Sequence, residues 1–106
     1  MLYSPFTIST VIKNEQLHYW DGKTWNDNVR QACLYPPSQV KLVIERMVPN
    51  GFKVLCEYVI QNREFNYYDG KGWVYNLVEA KFYDLEGAER TANQLALPEP
   101  TVPENL

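Results

Sequence analysis

Few side chains in this sequence could do chemistry, and they are scattered. His18 is the one imidazole in 106 residues, and it has no visible nucleophile to activate. Cys33 and Cys56 lie far apart, and with a single histidine they make no zinc-spaced cluster. They read as two free, mostly buried thiols of a reducing compartment, although spacing alone leaves a disulfide open. Gly22, Gly70 and Gly72 are too few for a phosphate-cradling loop, and Asp-Gly-Lys-Gly-Trp is not the Gly-x-x-x-x-Gly-Lys pattern. One pair of carboxylates recurs in identical surroundings, Asp21 and Asp69, each followed by Gly-Lys. Two such groups at a shared cleft could work as acid and base. Asp-Gly is equally what a tight turn requires, because glycine tolerates positive φ and aspartate bonds its own backbone. A calcium cage would need more carboxylates at close spacing. The sequence therefore predicts a protein that is not an enzyme, with no catalytic residue, no metal and no cofactor.

Both aspartates belong to a phrase used twice. Tyr19-Trp20-Asp21-Gly22-Lys23-Thr24-Trp25 returns as Tyr67-Tyr68-Asp69-Gly70-Lys71-Gly72-Trp73, an offset of 48 residues. Held without a gap, that offset sets Ile12 on Ile60, Asn14 on Asn62, Asn28 on Asn76, Ala32 on Ala80 and Tyr35 on Tyr83. We expect a tandem duplication, with repeat 1 over about 5–48 and repeat 2 over about 53–96. Two copies are too few for a solenoid, so one closed, pseudo-symmetric domain over 1–97 is predicted. Residues 98–106, with three prolines and no periodicity, read as a disordered tail.

The net charge of −3 gives no general attraction for a polyanion. Eight Tyr, four Phe and three Trp can fill a small core with few residues. No stretch is long and apolar enough to span a bilayer, and the first residues lack a signal-peptide pattern. A cytoplasmic protein is expected.

The elements that must position these residues follow from periodicity. Phe6 to Ile12 and Val54 to Ile60 alternate and are rich in β-branched and aromatic residues, as strands are. Lys13–Gln16 and Gln61–Glu64 read as hairpin turns. Leu17–Trp20 and Phe65–Tyr68 read as second strands ending at the Asp-Gly turns. Whether Trp25 and Trp73 share the face of Trp20 and Tyr68 depends on loop length, and both registers stay open. Ala32–Tyr35 and Ala80–Tyr83 read as short third strands. Val40, Val43, Ile44, Met47 and Val48 form a helical stripe, with Ser38 as its expected cap. Ala88, Thr91, Ala92, Leu95 and Ala96 repeat that stripe in small residues, with Asp84 as cap, so the second helix should lie closer to its sheet.

The predicted class is α+β: tandem ββ(β)α units forming one antiparallel sheet of four to six strands, with two helices on one face. This plan resembles a module of small bacterial and phage proteins that carry strand, turn, Tyr-x-x-Gly-x-x-Trp, an alanine, an aromatic and a helix. The matching positions are Tyr67, Gly70, Trp73, Ala80, Phe82 and Ala88, and more loosely Tyr19, Gly22, Trp25, Ala32, Leu34 and Val40. The resemblance implies a fold and no activity.

If Tyr19 and Tyr67 face the helices, alternation turns His18, Trp20, Asn66 and Tyr68 onto an uncovered sheet face. Aromatic rings there would mark a contact surface. The expected function is an interaction or adaptor module that binds a protein partner or itself through that face. Asp21, Gly22, Lys23, Trp25, Asp69, Gly70, Lys71 and Trp73 are expected to serve the turns. A single-stranded nucleic-acid binder is the alternative, with rings stacking bases and Lys23, Lys71, Arg30, Lys41 and Lys53 meeting phosphates. A small-molecule site at the repeat junction, built on Asp21 or Asp69, is the third reading.

Overall fold

The computed structural model describes residues 5–48, 51 and 53–97. The readings of Pro49-Asn50 as a helix stop and of 98–106 as a disordered tail lie outside the described residues. In chain order the elements are β1 (Thr7–Asn14), β2 (Tyr19–Trp20), β3 (Trp25–Asn26), β4 (Leu34–Tyr35), α1 (Val40–Met47), β5 (Val54–Gln61), β6 (Tyr67–Tyr68), β7 (Trp73–Val74) and α2 (Leu85–Ala96). Three 3-10 turns lie at Val29–Gln31, Pro37–Gln39 and Leu77–Glu79.

β1 and β5 are the two long strands, and their β-branched residues suit a pleat buried on both sides. They pair antiparallel over their full length, from Thr7 opposite Gln61 to Asn14 opposite Val54. The sheet runs β3-β2-β1-β5-β6-β7, with β4 also on β1. The class is α+β with one antiparallel sheet, as expected. Its seven strands among the described residues exceed the expected four to six, because each Asp-Gly hairpin adds a two-residue strand.

Alternation along β1 and β5 separates two cores. On one side Ile12, Trp20, Val54 and Cys56 receive Val40, Val43, Ile44 and Val48, from α1 and its C-terminal end. On the same side Ile8, Tyr58, Ile60 and Tyr68 receive Ala88, Ala92 and Leu95 of α2. The alanine stripe lets α2 lie closer to β1 and β5 than α1 does. On the opposite side Val11, Val59, Leu77, Tyr19, Tyr67, Leu34 and Phe82 form a third cluster. The 3-10 turns Val29–Gln31 and Leu77–Glu79 meet over it. The sheet face predicted to stand open is therefore covered, by turns that carry no periodic signal.

Other boundaries shift for identifiable reasons. Pro36 and Pro37 open the first helical segment as a 3-10 turn, so Ser38 sits inside that turn and caps nothing. Asp84 does cap α2, its Oδ1 accepting from Gly87 N at 2.6 Å. A Cβ on Gly87 would lie 2.8 Å from that oxygen, which explains a buried glycine in the first turn.

The second half follows the first at the 48-residue offset. β2 and β6, β3 and β7, and the turns at Val29 and Leu77 coincide under it. Tyr35 pairs with Thr10 as Tyr83 bridges Tyr58. The central ladder maps onto itself, since Thr10 lies opposite Tyr58, the residue 48 positions on. Two diagonal pairs flank the centre on the face of Val11 and Val59. Ser9 Oγ donates to Gln61 Oε1 at 2.7 Å, and Lys13 is paired with Glu57 at the related positions.

Thr10 is fully buried at the ladder centre, and its Oγ1 has no hydrogen-bond partner among the described residues. An unsatisfied buried hydroxyl costs about 1–3 kcal/mol. Thr10→Val should therefore stabilise the protein by about 1 kcal/mol in urea denaturation, with unchanged cooperativity. A loss of stability would show that the hydroxyl is satisfied.

Candidate interaction surface

The residues singled out by the sequence sit at two turn types, each used twice. In the first, Asn14 N donates to His18 O at 3.0 Å and Leu17 N to Asn14 O at 3.1 Å. Asn14 Oδ1 accepts from Gln16 N and His18 N, at 3.0 and 3.1 Å. Asn62 repeats this with Glu64 N and Asn66 N, both at 3.0 Å. Such a three-residue loop needs its last residue in the left-handed region. Leu17 (φ 63°) and Phe65 (φ 64°) occupy that position, where glycine would be expected. Both side chains are exposed, at 60 % and 76 %.

The second turn joins β2 to β3 and β6 to β7. Asp21 N donates to Thr24 O and Asp69 N to Gly72 O, each at 3.0 Å. Asp21 Oδ1 accepts from Lys23 N and Thr24 N at 2.9 and 2.8 Å, and Asp69 Oδ1 from Lys71 N and Gly72 N at 2.8 Å. Gly22 and Gly70 each take φ 99°, closed to side chains. These main-chain donors hold both carboxyls below the usual carboxylate value. Such groups are poor general acids at neutral pH. Between β2 and β6 lie three strand spacings, roughly 14 Å along the sheet. Each carboxylate is engaged by the backbone of its own turn.

The four-residue loops decide the register left open above. Trp25 lies opposite Trp20 and Trp73 opposite Tyr68, so each pair shares a face. The rings of Trp20 and Trp25 meet edge to face, with centroids 5.5 Å apart. Trp73 stacks on Phe6 at 5.3 Å. The expectation that Trp20 and Tyr68 look outward is corrected. Trp20 is 1 % exposed beneath α1, and Tyr68 packs toward α2 with its hydroxyl donating to Gly70 O at 3.0 Å. His18 is exposed and Asn66 half-buried, but both belong to turns instead of a strand face. The four candidate binding residues therefore make no common surface, and no ring platform for bases survives on it.

Another group of apolar residues is exposed, and comparing the two halves isolates it. Where the first half has Asn26, Asp27 and Arg30, the second has Val74, Tyr75 and Val78. The backbone is the same at both places: a two-residue edge strand, a link and a 3-10 turn. Tyr75 is 86 % exposed and Val78 52 %, and Val74 is half-buried. One more rung of the β6–β7 ladder would set Tyr75 opposite Asn66, next to Phe65. Nothing in the alternation of the strands flagged this group. The offset alone could have found it, as positions where the halves disagree in polarity.

A separate cavity of about 440 Å³ opens on the helix side, lined by Phe6, Thr7, Ile8, Pro37, Glu89, Ala92 and Asn93. None of the repeated turn residues reaches it. Among the described residues no cluster of three or more His, Cys, Asp or Glu is placed to hold a metal, and no helix is long and apolar enough to cross a membrane. Cys33 and Cys56 are unpaired, and burial pushes the Cys56 thiol up from its ordinary value. Comparison with known proteins returned no matching family model, no similar curated protein and no similar solved structure.

Two outcomes follow. Trp20→Ala should cost about 3–5 kcal/mol in chemical denaturation, as a buried ring does and a surface ring does not. The lowered carboxyls contribute stability that is present above the unfolded value of 3.8 and lost as pH falls through the folded one. NMR titration should place the Asp21 and Asp69 midpoints below 3.8, with the Thr24 and Gly72 amides shifting in step. Midpoints above that value would mean the turns do not hold their carboxylates.

Proposed function

We propose that this chain is a non-enzymatic protein-interaction module, assembled by duplication of a unit of about 48 residues, in which the second half carries the binding surface. Its contact residues are Phe65, Val74, Tyr75 and Val78. One observation carries the reading. The first half builds the same edge strand and 3-10 turn with Asn26, Asp27 and Arg30, so the scaffold has no need of apolar side chains there. Exposing Tyr75 and Val78 to water gains the fold nothing, and grouped exposed apolar residues mark contact surfaces. Phe65 adds to this, because a ring held in the left-handed region and exposed is retained at some cost in strain. Two unpaired cysteines fit a reducing cytoplasm. Both Asp-Gly turns use their carboxylates on their own backbone, which supports a binding role over an acid–base one.

The test uses the residues of the first half as replacements. Tyr75→Asp with Val78→Arg should leave stability within about 0.5 kcal/mol, as surface changes do. The same variant should lose the partner that the native chain retains on crosslinking in its own cells. Phe65→Gly should keep or raise stability, by up to about 1 kcal/mol, and weaken the same contact. A double variant that folds and retains every crosslinked partner would remove the surface from consideration.

A further inference from the structure

We infer that Asp21 and Asp69 are latent modification sites, where the main chain converts to a β-linked aspartate when the turn opens and is guarded while the turn is closed. The chemistry belongs to the Asp-Gly pair, because glycine has no side chain to hinder attack by its own nitrogen on the preceding carboxyl. The Gly22 nitrogen bonds to Cγ of the protonated Asp21 side chain. The carboxyl hydroxyl leaves with the nitrogen's proton as water, and a five-membered imide closes. Water then adds back to either imide carbonyl. Breaking the bond from nitrogen to Cγ restores aspartate. Breaking the bond from nitrogen to the main-chain carbonyl leaves the chain running through Cγ, one carbon longer. Water is the only co-reactant, and Asp69 with Gly70 follows the same course.

The closed turn opposes this attack in two ways. Oδ1 of Asp21 is held by the amides of Lys23 and Thr24, and Oδ1 of Asp69 by those of Lys71 and Gly72. The carboxyl is thereby fixed on amides two and three residues ahead, away from the glycine nitrogen one residue ahead. The same bonds favour the carboxylate, and the neutral form that the attack needs becomes scarcer. Conversion therefore passes through the open turn, at a rate that follows the fraction of time the turn is open. The halves differ at one place that bears on opening, Thr24 in the first and Gly72 in the second. Glycine gains more freedom on opening, so it makes opening easier. The second turn does not require it, since Gly72 lies outside the left-handed region and a Cβ there would meet nothing within 4 Å. The second turn also has a brace of its own, the Tyr68 hydroxyl donating to Gly70 O at 3.0 Å. A β-link would lengthen the chain between Trp20 and Trp25, or between Tyr68 and Trp73, and upset the register that sets each pair opposite.

Ageing the full chain at neutral pH tests this, with β-linked aspartate at each site counted by peptide mapping and electron-transfer mass spectrometry. The native chain should convert at least about tenfold more slowly than the same chain unfolded in urea, the worth of one hydrogen bond to a charged group. Exchanging the differing residues between the turns separates the two sites. Gly72→Thr should slow conversion at Asp69, and Thr24→Gly should speed it at Asp21, each about two- to fivefold. Each exchange should leave the other site's rate unchanged, with an unaltered circular dichroism spectrum. Tyr68→Phe should speed Asp69 alone. Equal rates in the native and unfolded chains would show that the turns guard nothing. Exchanges that move both sites together would place the conversion in the globally unfolded chain, and exchanges that move neither would remove turn opening from the path. An unfolded chain that converts at neither site would remove the modification itself.

Discussion

The structure depends on one long pairing, β1 with β5. Among the described residues it is the only ladder eight residues long, and every other strand is a two-residue piece joined to it directly or through β2 and β6. Strands that short have no independent stability. They persist because β1 and β5 are covered on both faces, by α1 and α2 on one and by two 3-10 turns on the other. Ser9, Thr10, Val11, Ile12 and Asn14 are buried in β1, and Val59, Ile60 and Gln61 in β5. Burying polar groups among them is tolerable where they are paired. Ser9 with Gln61 and Lys13 with Glu57 meet that need at related places, once with neutral groups and once with charged ones.

Around that ladder, the residues that recur at the 48-residue offset serve backbone geometry. Asn14 and Asn62 offer a side-chain oxygen to two main-chain amides each. Asp21 and Asp69 do the same one hairpin later. Gly22 and Gly70 take a φ closed to other residues. Trp25 and Trp73 lock the hairpins down onto the helix-side core. These positions are interdependent. The loop length fixed by Asp21 sets Trp25 opposite Trp20, and that register sends both rings beneath α1.

What the sequence revealed, and what it concealed, follows from the same chemistry. The β1 and β5 strands, the Asp84 cap and most of the two helical stripes were legible from residue type and spacing, although Met47 and Ala96 of those stripes are exposed. The face of Trp20 was not. The expectation rested on Tyr19 facing the helices, and a strand of two residues is too short for its pattern to say which face is which. Observed strand pairing begins only at Tyr19, and Tyr19 turns toward Val11 and the 3-10 turns. Those turns escaped notice for a related reason. Three residues of 3-10 helix have no period to detect, and Val29 and Leu77 cover the sheet as single side chains.

Agreement between the halves therefore identifies scaffold, and it is disagreement that can identify function. Not every disagreement qualifies. Val40 against Ala88 and Ile44 against Ala92 differ because α2 lies closer to the sheet, a packing matter settled in the core. Lys13 against Gln61 is two solutions to one cross-strand pairing. The change from Asn26, Asp27 and Arg30 to Val74, Tyr75 and Val78 has no such explanation. It falls on an edge where neither core reaches Tyr75, and it replaces groups that water solvates well with groups that it does not. A fold that can carry charges at an edge, and in one half does, is protected there from pairing with other strands. The other half lacks that protection, and its exposed Tyr75 ring lies just beyond the edge strand.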